Sequence, residues 1–266
     1  MWRPLCEAAL NSAPDQASVA LLWRVLAEGF ARPGEAGRPF LAPDGLSAGI
    51  VSPLLEALRR LGVTVLYGQR LEHVEGTEAT ATALHFAGRR RIALNSGEAV
   101  ILAVPADAAR RLLPDLPALA TSPIINVHYL CGPDLPALPG GKPFLALVGT
   151  TAQWLFRRDA VLSVTISAAD ALAGEPAAAL AARLWAEIAE ALRLCRPSPP
   201  WRVIKERRAT LRHSPAVNAL RPPAGTTLGN LWLAGDWLAT GLPCTMEGAV
   251  RSGEMAAQLA LSSPGL

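Results

Sequence analysis

Apolar residues recur at the spacing of one helix face in several parts of the chain, and each such stretch predicts a helix. The stretches are residues 17–30, 53–61 and 176–194, and a segment that begins near Thr245. In the first stretch the apolar stripe consists of Val19, Leu22, Val25 and Leu26. We expect this stripe to face the core of the protein.

Short runs that are wholly apolar, or that alternate apolar and polar residues, predict strands. Before residue 118 these runs are residues 63–67, 71–74 and 99–104, together with a hairpin of 79–86 and 91–94. After residue 118 they are residues 124–130, 144–148, 154–157, 161–166, 202–211 and 231–234. The run 99–104 is almost entirely apolar and stops at Pro105, as is typical of a central strand covered on both faces. The runs between residues 124 and 166 indicate an antiparallel sheet.

Composition excludes some classes of function. The 266 residues include 25 basic and 22 acidic side chains, which are spread along the chain and give a net charge of +3. We therefore expect no nucleic-acid partner, and we interpret Arg89-Arg90-Arg91 as a solvated hairpin turn. Although 51% of the residues are hydrophobic, no uninterrupted apolar run is long enough to predict a membrane-spanning helix.

The cysteines indicate neither a metal site nor a disulfide framework. Cys6, Cys131, Cys195 and Cys244 lie too far apart in sequence for a Cys-x-x-Cys pattern, and the sequence shows no signal peptide. We therefore predict no metal and a reducing, cytoplasmic environment.

The segment near the carboxyl end is the most informative part of the chain. It reads Gly229-Asn-Leu-Trp-Leu-Ala-Gly-Asp236, followed by a loop and then Pro243-Cys-Thr-Met-Glu-Gly248. Gly235 allows a sharp turn after an apolar strand, and Asp236 places an acceptor carboxylate there, which suits sugar-type hydroxyls. The helix that begins near Thr245 offers unpaired N–H groups in its first turn. One flat ligand with polar edges would use all of these features, although a strand and helix that bind no ligand would show the same pattern.

This segment resembles the carboxyl-terminal flavin motif of the flavin amine oxidase and phytoene desaturase superfamily. The resemblance implies FAD as the cofactor. It places Gly235 and Asp236 at the ribityl chain, and the helix start at the pyrimidine edge of the flavin. The residues at that helix start are Thr245, Met246, Glu247 and Gly248.

The order helix, strand, hairpin, strand between residues 53 and 104 resembles the middle of the FAD domain in the same superfamily. That resemblance implies that the backbone of Leu71 lies near the adenine. It also implies that Ala103 to Pro105 lie near the diphosphate.

The resemblance also implies an α/β (α+β) fold with two discontinuous lobes. The cofactor lobe would comprise residues 51–117 as its middle segment and 206–266 as its carboxyl-terminal segment. The substrate lobe would comprise the helices of residues 1–50 and the antiparallel sheet and helix of residues 118–205. The Rossmann-like cofactor lobe is incomplete, because the sequence contains no Gly-x-Gly-x-x-Gly after a strand. We expect the missing unit in a longer gene product or on a separate chain.

The opening segment, Trp2-Arg-Pro-Leu-Cys-Glu-Ala-Ala-Leu-Asn11, resembles a segment of bacterial FAD-dependent hydroxysqualene dehydroxylases, and Trp154-Leu-Phe-Arg157 matches a strand of that group. Amine oxidases typically carry an aromatic residue where this chain has Thr245, which argues against amine oxidation. The resemblance implies reductive removal of the hydroxyl of hydroxysqualene, which gives squalene for hopanoid synthesis. A carotenoid or phytoene desaturase remains an alternative, as does a non-catalytic remnant or lipid-binding subunit.

The sequence does not identify the catalytic residue. Removal of a hydroxyl needs a proton donor, but Glu247 is more typical of a helix-capping position, and the histidines at 73, 85 and 128 fit ordinary strand positions. His213-Ser214 lacks the Gly-x-Ser-x-Gly elbow of a hydrolase. A hydrophobic isoprenoid substrate would also favour a peripheral membrane contact on the inner face of the cytoplasmic membrane, for which residues 21–23 are the candidate.

Overall fold

A computed structural model describes residues 2–29, 31, 41–42 and 44–263, and it confirms the mixed helix and strand class. The helices are α1 (Trp2–Leu10), α2 (Val19–Gly29), α3 (Ser52–Arg60), α4 (Ala106–Leu112), α5 (Ala177–Leu192), α6 (Pro215–Ala219) and α7 (Met246–Leu261). A π-helical turn, Ser47–Val51, leads into α3. All the helices predicted from periodicity form, with ends that differ by one or two residues, and the predicted end of the first at Phe30 lies outside the described residues.

The strands also follow the predicted runs closely. They are β1 (Leu71–Gly76), β2 (Ala81–Phe86), β3 (Arg90–Ala93), β4 (Val100–Leu102), β5 (Thr121–Leu130), β6 (Phe144–Ala146), β7 (Trp154–Arg158), β8 (Val161–Ile166), β9 (Trp201–Leu211) and β10 (Leu231–Leu233). Gly88, at a φ of +78°, turns the chain between β2 and β3 as the hairpin prediction requires.

The antiparallel sheet has the strand order β6-β7-β8-β5-β9 and packs one face on helix α5. Alternate residues of β8, including Leu162 and Val164, are fully buried against Leu180 and Leu184 of the helix. The hydroxyl of Tyr129 on β5 donates to the carbonyl oxygen of Ala181 at 2.7 Å. This sheet and helix form one apolar core.

A second core lies under the parallel pair β4 and β10 and the antiparallel sheet β1-β2-β3. The buried apolar side chains of this core include Val100, Leu102, Leu231 and Leu233. Leu231 pairs with Val100 and Leu233 with Leu102, so the two strands end at the same edge. Parallel strands that end together place the loops that follow them side by side.

Two strand predictions need correction. The run 63–67 has no strand partner among the described residues, and its side chains are exposed, so it is extended chain rather than a strand. The run that became β4 pairs only with β10 within the part of the chain that the structure describes, and Ile101 is 40% exposed. The prediction of a strand covered on both faces is therefore wrong for the described residues, because one side of β4 has no covering layer.

The stripe predicted for the first helix is also partly wrong. Leu21 is the residue of α2 that is buried, where it packs with Cys6 and Leu10 of α1, whereas Val19 is 80% exposed. The helix is rotated about its axis relative to the predicted stripe, because α1 covers the side that contains Leu21.

The predicted division into lobes remains a prediction, although the structure shows how the segments connect. Strand β9 pairs with β5 along most of its length and therefore belongs to the antiparallel sheet. It runs across the predicted boundary at residue 205. Its last residue, Leu211, contributes to the second core. Strand β9 thus carries the chain directly from one core to the other.

Candidate functional site

The edge where β4 and β10 end contains two of the predicted site residues. Pro105 lies three residues beyond the end of β4, and Asp236 lies three residues beyond the end of β10. The indole Nε1 of Trp237 donates to the carbonyl oxygen of Val104 at 2.9 Å, which ties the two loops together. The parallel register of the strands therefore brings Asp236 and Pro105 to one site.

Gly235 has a conformation and an environment that exclude a side chain. Its φ is +156°, and a Cβ atom there would lie 2.4 Å from Nε1 of Trp237. Its N–H donates to Oγ of Ser252 on α7 at 2.8 Å. Gly235 thus lets the backbone pass close to the indole while the turn is held against α7.

Helix α7 begins where the sequence predicted, and Thr245 caps it. Oγ1 of Thr245 accepts a hydrogen bond from N–H of Gly248 at 3.1 Å. A Cβ atom on Gly248 would lie 3.1 Å from the carbonyl oxygen of Pro243, which leaves no ready space for a larger residue. Met246 and Glu247 are exposed, and the Glu247 carboxylate accepts from Nε of Arg251 at 2.7 Å. The Glu247 side chain is therefore committed to a surface ion pair.

A cavity of about 330 Å³ lies beside Asp236. Asp236, Trp237, Cys244 and Pro105 line it, and arginines from α4 and β9 lie at its rim together with Asp107. The guanidinium of Arg208 lies 2.8 Å from the Asp107 carboxylate. Of the predicted site residues, only Asp236 and Pro105 line this cavity. Thr245, Met246, Glu247 and Gly248 belong to the helix start beside Cys244, and Leu71 packs at the second core.

Burial dominates the electrostatics at Asp236. It raises the pKa of the Asp236 carboxyl, and the positive charge of Arg221 opposes that rise. Burial and the nearby Asp236 raise the pKa of the Cys244 thiol to about 12. Cys244 is therefore a neutral thiol that can donate to Asp236, and it is not a nucleophilic thiolate.

The loop after Asp236 is fixed from behind by a buried arginine. The guanidinium of Arg221 donates to the carbonyl oxygens of Asp236 at 2.7 Å, Leu242 at 2.6 Å and Trp237 at 3.3 Å. Burial lowers the pKa of Arg221, but three acceptors keep its charge compensated. One side chain thus holds both ends of the loop.

Arg221 was not identified from the sequence. His213 was considered only with Ser214, as a pair that lacks the surroundings of a hydrolase nucleophile. Neither lies within a recognisable motif, because their roles depend on loops that meet only in the folded chain. The one local signal was Ser214-Pro215, and the structure shows that Oγ of Ser214 caps α6 by accepting from N–H of Val217 at 3.2 Å. Ser214 is therefore a helix cap.

The other histidines have ordinary partners. Nε2 of His85 lies 2.6 Å from a carboxylate oxygen of Glu75, and Nδ1 of His128 lies 2.8 Å from Oγ of Ser163. Among the described residues, no group of three His, Cys, Asp or Glu side chains could hold a metal ion. No described helix is long and apolar enough to cross a membrane.

A family model for flavin-containing amine oxidoreductases matches residues 4–261. The chain belongs to this family. The sequence-based prediction of a flavin cofactor is thereby confirmed at the level of the family. The structure agrees with such a cofactor, because Gly235 lets the backbone approach closely and the half-buried Asp236 presents an acceptor to an open cavity.

Relatives within the family include proteins named hydroxysqualene dehydroxylase. One from Sinorhizobium fredii is 42% identical over 98% of this chain and 61% of its own length. Another from Rhodopseudomonas palustris is 42% identical over 98% of this chain and 62% of its own. The predicted resemblance to this group is confirmed. The chain spans about three fifths of the length of these relatives.

Solved structures agree on the fold. An oxidoreductase from Methanosarcina mazei superposes with a TM-score of 0.63 at 16% identity, over 96% of this chain and 63% of that one. Because almost the whole chain is aligned, the agreement covers both the antiparallel sheet and the parallel strands β4 and β10.

Proposed function

We propose that this chain contributes the greater part of an FAD-dependent oxidoreductase that reductively removes the hydroxyl of hydroxysqualene and forms squalene for hopanoid synthesis. The observation that carries the proposal is the 42% identity to hydroxysqualene dehydroxylases over 98% of the chain. The site geometry supports it, because the residues of the flavin motif fall at one strand edge beside a cavity.

Each part of the motif has a role in this proposal. The Asp236 carboxylate accepts hydrogen bonds from the ribityl hydroxyls, and the N–H groups at the start of α7 face the pyrimidine edge. Gly235 and Gly248 keep the backbone free of side chains there. Leu71 and Pro105 lie toward the adenine and diphosphate parts. When bound and reduced, FAD supplies a hydride to the carbon that loses the hydroxyl.

An aromatic cavity of about 370 Å³ suits the isoprenoid chain of the substrate. Phe144, Trp154 and Phe156 line it on the face of the sheet opposite α5, and the ring centroids of Phe144 lie 6.1 Å and 6.0 Å from those of the other two. Its lining is almost wholly apolar, which favours a hydrocarbon. Ile124 of β5 also lines this cavity, and Thr121 of the same strand lines the one with Asp236. Three residues of strand span about 10 Å, a distance that one long polyene bridges.

We also propose that an amino-terminal Gly-x-Gly-x-x-Gly unit, on this or a separate chain, covers an exposed apolar face of the cofactor lobe. This face, the 50–67 face, consists of Ile50, Val51, Leu54, Leu58, Leu61, Val63, Val65, Leu66 and Tyr67. So many exposed large apolar side chains in eighteen residues mark an interaction surface. The match covers 61% of the length of one such relative, so the relatives are long enough to contain a further unit.

The membrane contact also belongs to this proposal, which keeps Trp23 from the predicted residues 21–23 and adds Trp2. Leu21 is buried and cannot touch a bilayer, whereas Trp23 on the same helix is 66% exposed and Trp2 on α1 is exposed too. Tryptophan prefers the interfacial region of a bilayer. We propose that these two residues lead the contact with the inner face of the cytoplasmic membrane, and loss of vesicle binding in Trp2→Ser and Trp23→Ser variants would test it.

The function is tested by incubating the purified protein, with FAD and a reductant, with hydroxysqualene and separately with phytoene. We expect squalene from the first and no desaturated product from the second. A desaturated carotenoid would support the alternative function. Protein that takes up no FAD, even when the amino-terminal unit is supplied, would indicate a non-catalytic remnant.

The cofactor site has its own matched test. Gly235→Ala would force a Cβ atom against the Trp237 indole, so we expect FAD binding to weaken by more than tenfold. Gly253→Ala is the control, because a Cβ atom at that position in α7 would meet no atom within 4 Å apart from the neighbouring backbone of the helix itself. Equal FAD affinity in both variants would contradict the proposed site.

A further inference from the structure

His213 is a buried residue that connects the α1–α2 segment with the start of α7. It lies between β9 and α6, and only 2% of its surface is exposed. All four of its hydrogen-bonding groups have partners. Its N–H donates to Oγ of Ser12 at 3.0 Å, and its carbonyl oxygen accepts from N–H of Ser18 at 2.7 Å.

The imidazole has one tautomer that satisfies both of its ring nitrogens. Nδ1 lies 2.6 Å from the carbonyl oxygen of Leu10, which can only accept, so Nδ1 carries the proton. Nε2 lies 2.7 Å from the backbone N–H of Cys244, which can only donate, so Nε2 is unprotonated. The ring is therefore neutral and donates to one lobe while it accepts from the other.

The two partners of the ring lie at informative places. Leu10 is the last residue of α1, and the side-chain Nδ2 of the next residue, Asn11, donates to the carbonyl oxygen of Ser122 on the antiparallel sheet at 2.9 Å. Cys244 immediately precedes Thr245, which caps α7. The imidazole thus connects the segment anchored to the substrate lobe with the start of α7. No metal, catalytic or substrate role is needed to explain this arrangement.

We infer that His213 is a positioning residue that holds the Cys244 backbone, and with it the first turn of α7, in the place that the flavin requires. The inference rests on the proposed function. The first-turn N–H groups of α7 can reach a pyrimidine edge only if the helix start is fixed, and Arg221 fixes the loop only as far as Leu242. His213 accepts from the N–H of Cys244, which lies between Leu242 and the helix cap Thr245.

Two isosteric variants separate the two sides of the ring. In His213→Gln the Oε1 atom replaces Nε2 as the acceptor for Cys244, whereas in His213→Asn the Nδ2 atom replaces Nδ1 as the donor to Leu10 and the acceptor for Cys244 is lost. We expect His213→Asn to weaken FAD binding about tenfold and to shift the midpoint potential of the bound flavin. His213→Gln should stay within about threefold of the original affinity, with an unchanged potential.

The contradicting result is an equal effect of both variants on affinity and potential, because a purely structural role would not distinguish the two sides of the ring. Unfolding midpoints of both variants show whether either has lost its fold. Should His213→Asn not fold, ¹⁵N spectra of the unaltered protein decide the point. A protonated Nδ1 and an unprotonated Nε2 support the inference, and the opposite tautomer overturns it.

The ¹⁵N measurement also separates this inference from the proposed function. It reads the tautomer whether or not FAD binds. Absence of FAD uptake by the unaltered protein would contradict the proposed function. Only the wrong tautomer, or equal behaviour of the two variants, would contradict the role of His213.

Discussion

Apolar residues are buried between the antiparallel sheet and α5, whereas those of the segment around α3 are exposed. Leu155, Leu162 and Leu184 are fully buried between the sheet and its helix. Leu54 of α3, in contrast, is 59% exposed although it belongs to an equally regular apolar stripe. Helices α3 and α5 both carry a regular apolar stripe, so their difference in burial comes from the layer that covers each stripe.

This contrast shows that the two parts of the chain depend on different partners for their burial. Burial of an apolar side chain such as leucine stabilises a fold by about 1.5–3 kcal/mol. The antiparallel sheet and α5 gain this energy within the described chain. The 50–67 face gains it only when another surface covers it, as the proposed amino-terminal unit would.

The largest expected effect is in the sheet. Leu162→Ala would leave a cavity between β8 and α5, and we expect it to lower the free energy of unfolding by about 2–5 kcal/mol. Leu54→Ala is the matched control and should change it by less than about 0.5 kcal/mol. Urea unfolding followed by circular dichroism measures both. A large cost of Leu54→Ala would mean that the α3 stripe is covered in solution, which would remove the contrast.

The next effect is a pH dependence of stability at His213, which contacts the α1–α2 segment and the start of α7. Burial lowers the pKa of His213 to about 4, and Arg221 is the charged group that adds to this shift. The neutral ring then contributes its stability in full above pH 6.5, the ordinary value, and loses it as the pH falls from 6.5 toward 4. The difference between the ordinary and the lowered pKa of His213 corresponds to about 3 kcal/mol of folding stability.

This dependence is measured as the difference between the original protein and His213→Gln, which does not titrate. We expect the difference in unfolding free energy to narrow progressively below pH 6.5. A difference that stays constant from pH 7.5 to 4.5 would show that His213 is not a buried neutral base.

The sequence predicted elements well where the pattern itself determined burial, and less well where a neighbour did. The period-two runs that became β5, β7 and β8 face one helix, so their pattern was sufficient. Residues 63–67 have the same apolar character, but a strand also needs a hydrogen-bonding partner, which the pattern cannot show. The position of Asp236 just after a strand was predictable because its motif is contiguous, and its role at a flavin stays a prediction. Arg221 and His213 contact carbonyl and N–H groups that lie fifteen or more residues away in the sequence, and no local pattern marks them.

A smaller effect is expected at the start of α7. Thr245→Ala removes the oxygen that accepts from N–H of Gly248, and we expect a loss of about 1 kcal/mol in the free energy of unfolding. Thr245→Ser keeps the oxygen and should retain the original stability. This pair of variants sharpens the comparison, because it measures how much a local capping hydrogen bond stabilises α7 without any burial of apolar surface. Equal stability of the two variants would show that the cap contributes nothing measurable.

The smallest effect on stability, but the most informative for the contrast, is expected on the 50–67 face. Leu54→Glu and Leu58→Glu place charges at positions where the described chain leaves apolar side chains exposed to water. The free energy of unfolding of the 266-residue chain should therefore change by less than about 0.5 kcal/mol. Binding of a separately expressed amino-terminal unit should be lost, because each buried, unpaired carboxylate would oppose it. Arg59→Glu, on the same helix but outside the stripe, is the control that should leave binding intact. If all three variants bind that unit equally well, its docking surface lies elsewhere, and the exposure of α3 requires a different explanation.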